Sequence, residues 1–229
     1  MGKKIVKKTK IKFFNLILIL VFLIGLFFGV SYLIKIPTHN LLIKGTVYVS
    51  DDMIIEAGHM KDYPPFLLFN RKEACKNINQ SPYISSCKIK KKWGFLLEIH
   101  VVENRPFFYD SNQKQYVLDH GEVVEENDIT RNFRVPRLLN YVPDTKYDKF
   151  LSGMGKIKDD ILSKVSDMEY LPNEYDKDRF LFYMDDGNMV YLTLTKFKLM
   201  NHYNEVLPQL EGHKGILYLD SGNHFQIKE

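Results

Sequence analysis

The 229-residue sequence lacks the usual marks of chemistry. It holds no H-E-x-x-H, no G-x-S-x-G and no glycine-rich phosphate loop. Its seven histidines are scattered; His202, His213 and His224 recur at eleven-residue intervals but fall on a predicted helix, loop and strand, not at paired zinc spacings. Asp185-Asp186-Gly187-Asn188 lacks the alternating oxygens and later Glu of a calcium loop, and reads as a hairpin turn. Asp51-Asp52 read as charges at a helix start, not as an acid–base pair. Only a triad assembled from distant positions escapes such a search. The expectation is a protein that is not an enzyme, with no metal, no cofactor and no small-molecule substrate.

Acid is missing from residues 1–34, which carry six lysines (Lys3, Lys4, Lys7, Lys8, Lys10, Lys12). Residues 13–34 carry no charge at all, and only Asn15, Ser31 and Tyr32 have polar side-chain atoms. A helix of that length is roughly 33 Å long, enough for a hydrocarbon core of about 30 Å. The run is longer than a signal-peptide core, and Ser31-Tyr32-Leu33-Ile34 offers no small-x-small cleavage site. These features predict an uncleaved single-pass anchor, with the basic residues 1–12 in the cytoplasm and residues 35–229 outside. Gly25 and Gly29 form a G-x-x-x-G that could admit another helix.

The net charge of +4 belongs to that N-terminus. Of 32 basic side chains six precede residue 35, leaving 26 against 28 acids, a formal −2 outside. A nucleic-acid partner is therefore not expected. The exterior residues suffice for one or two domains, and 14 Tyr with 16 Phe provide cores. Cysteine is scarce: Cys75 and Cys87 both lie outside, where a disulfide is permitted, and buried free thiols explain the sequence equally well.

Patterning predicts strand Asn40–Lys44 ended by Gly45, then a short helix from Ser50-Asp51-Asp52 stopped by Gly58. A Pro64-Pro65 loop follows, then a helix from about Asn70 to Asn79. Tyr83–Lys90 and Leu97–Val101 alternate as two strands around Lys92-Trp93-Gly94. Strand–helix–helix–strand–strand, with Ile43-Lys44-Gly45, Ser81-Pro82-Tyr83-Ile84, Glu98-Ile99-His100-Val101 and Glu103-Asn104-Arg105-Pro106, resembles the POTRA domain of the FtsQ/DivIB cell-division family. Thr46 departs from that family's usual Asn.

The resemblance continues through Tyr116–Val123, with its reversal at Asp119–Gly121, and through Val135-Pro136-Arg137-Leu138. Apolar spacing predicts a helix over residues 147–165, a hairpin of 179–184 with 189–194, and a helix over Thr195–Leu210. Gly215–Asp220 and His224–Lys228 close as two strands around Ser221-Gly222-Asn223. The expected fold class is α+β: a transmembrane helix (13–34), a POTRA domain (35–105) and a mixed α/β "β domain" (106–229) with a C-terminal edge strand.

From the residues alone, the last strand equally well completes its domain or accepts a partner strand at an exposed edge. The family resemblance implies the second. It implies a non-enzymatic scaffold at the division septum that recruits FtsL and DivIC, or the DivIC counterpart FtsB, through Leu219, Asp220, Asn223, His224, Phe225, Gln226 and Ile227. Relatives often carry a loose tail after this strand, and this sequence is expected to have essentially none. The POTRA resemblance also suggests a second docking edge near Asn40–Lys44. The alternatives are an anchored extracytoplasmic enzyme, which needs a cleft of converging polar groups, and a sensor unrelated to division, for which twelve cytoplasmic residues are expected to be too few.

Overall fold

A computed structural model describes residues 13–228, so the basic N-terminal tail lies outside the described residues. Helix α1 (Phe13–Ile34) is one continuous helix with no buried side chain. It is long and apolar enough to cross a membrane. A Cβ added to Gly25 or Gly29 would meet nothing within 4 Å, so both glycines face open space.

Beyond α1 come β1 (Asn40–Lys44), α2 (Asp51–Ala57), α3 (Arg71–Ile78), β2 (Ile84–Lys92) and β3 (Leu96–Glu103). The strands form a sheet in the order β1-β3-β2, with β1 parallel to β3. Helix α2 ends at Ala57, before Gly58 as the sequence predicts, and a left-handed residue follows. His59 takes that conformation at φ 53°, and its amide and that of Met60 close on Glu56 O and Ile55 O. Gly58 is closely packed: a Cβ there would lie 2.5 Å from the Met60 methyl, 3.1 Å from Ile54 O and 3.2 Å from Ile78 Cδ1. Cys75 on α3 is disulfide-bonded to Cys87 on β2.

The chain divides into two compact units. Among the described residues, those up to Lys44, with Asp51–Ile78 and Cys87–His100, form the first; Gly45–Ser50, Asn79–Ser86 and those from Val101 onward form the second. Within the second unit, the Glu103 carboxylate accepts the amides of Val47, Tyr48 and Val49. Asn104 donates from its backbone to Tyr83 O and from its side chain to Pro82 O. Gly45 has φ 94°, and a Cβ there would lie 2.0 Å from Val101 O, so only glycine fits. The scattered pieces of the sequence motif are thus partners of one another.

The rest of the second unit contains β4 (Pro106–Asp110), β5 (Gln115–Leu118), β6 (Val123–Val124), β7 (Arg137–Leu138), α4 (Asp144–Met154), α5 (Asp159–Leu162) and β8 (Val165–Tyr170). Then come β9 (Arg179–Met184), β10 (Met189–Thr193), a 3-10 helix (Leu194–His202), α6 (Tyr203–Val206), β11 (Gly215–Tyr218) and β12 (His224–Ile227). The strands build one sheet in the order β12-β11-β10-β9-β8-β7-β4-β5-β6. Its helical face is an aromatic core: Phe150 stacks on Phe180 at 5.1 Å, and Phe197 stands edge-on to both.

Two helices differ from the sequence expectation. The stretch 147–165 is broken after Met154, and Val165 opens a strand. Side chains from elsewhere satisfy the break. Asn201 accepts from Lys158 N–H and donates to Lys156 O, while Arg105 donates to Ile157 O. The apolar spacing there reports burial, not a continuous helix. The stretch 195–210 is mostly 3-10. Leu194, Phe197, Met200 and Tyr203, all buried, are spaced by three, which is the 3-10 repeat and not 3.6.

Candidate partner-binding edge

β11 is held at both ends before β12 pairs with it. At its start, Gly215 N–H donates to Oδ1 of buried Asn188 at 3.0 Å. Asn188 Nδ2 in turn donates to Tyr203 Oη, and the Tyr203 hydroxyl donates to Asp186 Oδ2. Burial, reinforced by the Asp186 bond, pushes the Tyr203 phenol well above its usual range. At the far end, Leu219 N–H donates to Tyr191 O. Asp220 accepts from Arg179 Nε on its carboxylate and from Lys196 Nζ on its carbonyl. β11 lies parallel to β10, pairing Met189 with Ile216 and Tyr191 with Tyr218.

β12 runs antiparallel to β11, with Gly215 opposite Ile227 and Tyr218 opposite His224. The two backbones approach so closely that a Cβ on Gly215 would lie 2.0 Å from Gln226 O. Lys228 N–H donates to Lys214 O. Antiparallel pairing alternates, so residues 224, 226 and 228 turn their polar backbone groups toward β11. The amides and carbonyls of Phe225 and Ile227 therefore point away from the sheet, where among the described residues no further strand follows β12.

The two faces of this edge differ. On one, Arg179, Tyr191, Tyr218 and His224 form a stacked row, with the guanidinium 3.5 Å from the Tyr191 ring centre and Tyr218–His224 at 4.6 Å. On the other, Leu217, Leu219, Phe225 and Ile227 line a groove of about 580 Å³ with Val206 and Leu210. Of the seven edge residues expected from the sequence, Leu219 is buried in the core and Asp220 is turned inward to Arg179. Asn223, His224, Gln226 and Ile227 are exposed and Phe225 is half-buried. Val206, Leu210, Tyr191 and Tyr218 were not anticipated. Tyr191 and Tyr218 meet through the parallel β10–β11 pairing, for which the sequence carries no local signal, and Val206 and Leu210 reach the groove from the helical segment between those strands. Among the described residues no group of three His, Cys, Asp or Glu could hold a metal ion.

Comparison with known proteins finds family models, relatives and a solved structure. The family model "POTRA domain, FtsQ-type" matches residues 37–104, and "Cell division protein FtsQ/DivIB, C-terminal" matches residues 108–221. The chain is 28% identical over 213 residues to a cell division protein DivIB of Brevibacillus brevis, covering 87% of this chain and 80% of that one. It is 25% identical over 218 residues to the Bacillus subtilis DivIB, covering 93% and 80%. The solved extracytoplasmic domain of Geobacillus stearothermophilus DivIB, in its trans isomer, aligns at TM-score 0.39 and 22% identity, over 48% of this chain and 95% of that one.

Proposed function

Because the chain belongs to the FtsQ/DivIB family of cell-division proteins, we propose that it is a non-enzymatic scaffold that recruits the FtsL–DivIC pair to the division septum by strand addition at β12. The observation that carries this reading is the pair of outward-facing amides and carbonyls at Phe225 and Ile227, beside an apolar groove. Main-chain bonds to such an edge give affinity, and alternate side chains entering the groove give specificity. Asn223, His224, Phe225, Gln226 and Ile227 contact the partner in this scheme, whereas Leu219 and Asp220 position β11.

Phe13–Ile34 suits a single-pass membrane protein. In this reading the lysine-rich residues 1–12 hold that end in the cytoplasm, a POTRA domain occupies 35–105 and the β domain 106–229. Gly25 and Gly29, open to close approach, offer a packing face for the spans of the partners.

The test uses proline. Ile227→Pro removes an outward N–H and leaves the β11–β12 bonds intact, whereas Gln226→Pro breaks an inward one. The full-length Ile227→Pro chain is expected to keep its thermal transition and lose capture of DivIC from co-expressing membranes. Undiminished capture by that variant would sink strand addition at β12.

A further inference from the structure

We propose that the end of the first compact unit nearest α1 rests in the lipid headgroup layer, with Trp93 as its inserted side chain. This rests on the reading of Phe13–Ile34 as a membrane span.

A short leash sets the location. Ile36 O accepts from Phe66 N–H at 2.9 Å, Thr38 N–H donates to Pro64 O at 3.0 Å, and His39 N–H donates to Phe95 O at 2.9 Å. Two residues of chain reach at most about 7 Å and five about 18 Å. Phe66 therefore lies within about 10 Å of the end of α1, and Phe95 within about 21 Å, whatever angle the helix adopts. The 62–69 loop and the β2–β3 turn are thus held at the membrane exit.

Both segments present apolar side chains to the outside. Trp93 is 100% exposed, Leu68 65% and Leu67 51%. The turn is built to push Trp93 outward. Gly94 and Phe95 both have positive φ, and the Phe95 ring folds back onto His39 and Phe66 at 5.3 and 5.4 Å. Lys91 Nζ donates to Leu67 O at 2.9 Å, so hairpin and loop make one patch. On the face of β2 opposite Lys91, Lys88 and Lys90 are exposed and Lys92 lies 3.4 Å from Glu98. Tryptophan's amphipathic ring partitions to the headgroup level, and clustered lysines are drawn to anionic lipid. An exposed apolar patch beside Lys91, on a lysine-rich strand and tethered to the membrane exit, fits a lipid surface better than water.

Trp93 is the only tryptophan, so the native full-length chain reports on itself. Reconstituted in phosphatidylglycerol–phosphatidylcholine vesicles, its emission should lie at shorter wavelength than in the urea-unfolded chain. Acrylamide quenching should fall several-fold, and lipids brominated near the headgroup should quench several-fold more than lipids brominated mid-chain. In Trp93→Phe/Leu68→Trp, the relocated probe should behave likewise. A chain that floats with the vesicles but keeps a water-exposed Trp93, or becomes shielded only on adding another division protein, overturns the inference and leaves the span intact. A chain that does not float overturns both.

Discussion

Arg179 on β9 and Asp220 just after β11 form an ion pair, Nε to Oδ2 at 2.7 Å, with both side chains largely withdrawn from water. The pair joins strands that are two apart in the sheet and fixes where the chain turns toward β12. Asp220 therefore acts on the edge from behind.

Removing one member of such a pair strands the other charge. Asp220→Ala is expected to lower stability by about 3 kcal/mol, whereas exposed Gln226→Ala should change it by less than about 0.5 kcal/mol. Urea unfolding followed by circular dichroism separates the two. Equal stabilities would refute the positioning role of Asp220.

Tyr203→Phe leaves Asn188 Nδ2 without its acceptor, at a cost of about 1–3 kcal/mol. The alkaline side has its own signature. The Glu169 hydrogen bond, with burial, pushes Tyr183 up to about 12 from 10.0. A raised phenol stabilises the fold fully below the unfolded value, and this is lost as pH rises from 10 to about 12. Tyr183→Phe should flatten the stability profile across that window.

On the acid side, Glu98 accepts from Lys44 at 2.8 Å with Lys92 nearby, and the Lys44 bond holds its carboxyl at about 2, below the usual 4.5. A lowered carboxyl stabilises fully above the unfolded value, so its contribution disappears as pH falls from 4.5 to about 2. Glu98→Gln should shallow the acid limb of thermal stability measured across that range; an unchanged limb argues against the pairing.

The Cys75–Cys87 bridge spans a separation of 12 residues. Opening a loop of that size costs about 3 kcal/mol in the chain-entropy description. Adding dithiothreitol, or replacing Cys75 by Ala, should shift the unfolding of the first unit toward lower urea and spare the second.

Much was legible from local pattern. The β1-α2-α3-β2-β3 order, the β9–β10 hairpin around Gly187 and the apolar span follow from alternation, turn residues and run length, which depend on neighbours in the chain. The errors lie where distant groups intervene. Residues 147–165 repeat at helical spacing, yet Asn201 and Arg105 satisfy a broken backbone there.

The candidate site divides in the same way. That 224–227 is a strand, and that 13–34 can span a membrane, are properties of residue order alone, because alternation and hydrocarbon thickness act on contiguous segments. Tertiary structure decided which of the seven edge residues are free. The parallel pairing of β11 with β10 buries Leu219 and draws Asp220 to Arg179, and the helical segment between those strands brings Val206 and Leu210 beside Phe225. Pairing register is a long-range choice, made by the whole sheet and the helices covering it, and no window of sequence contains it.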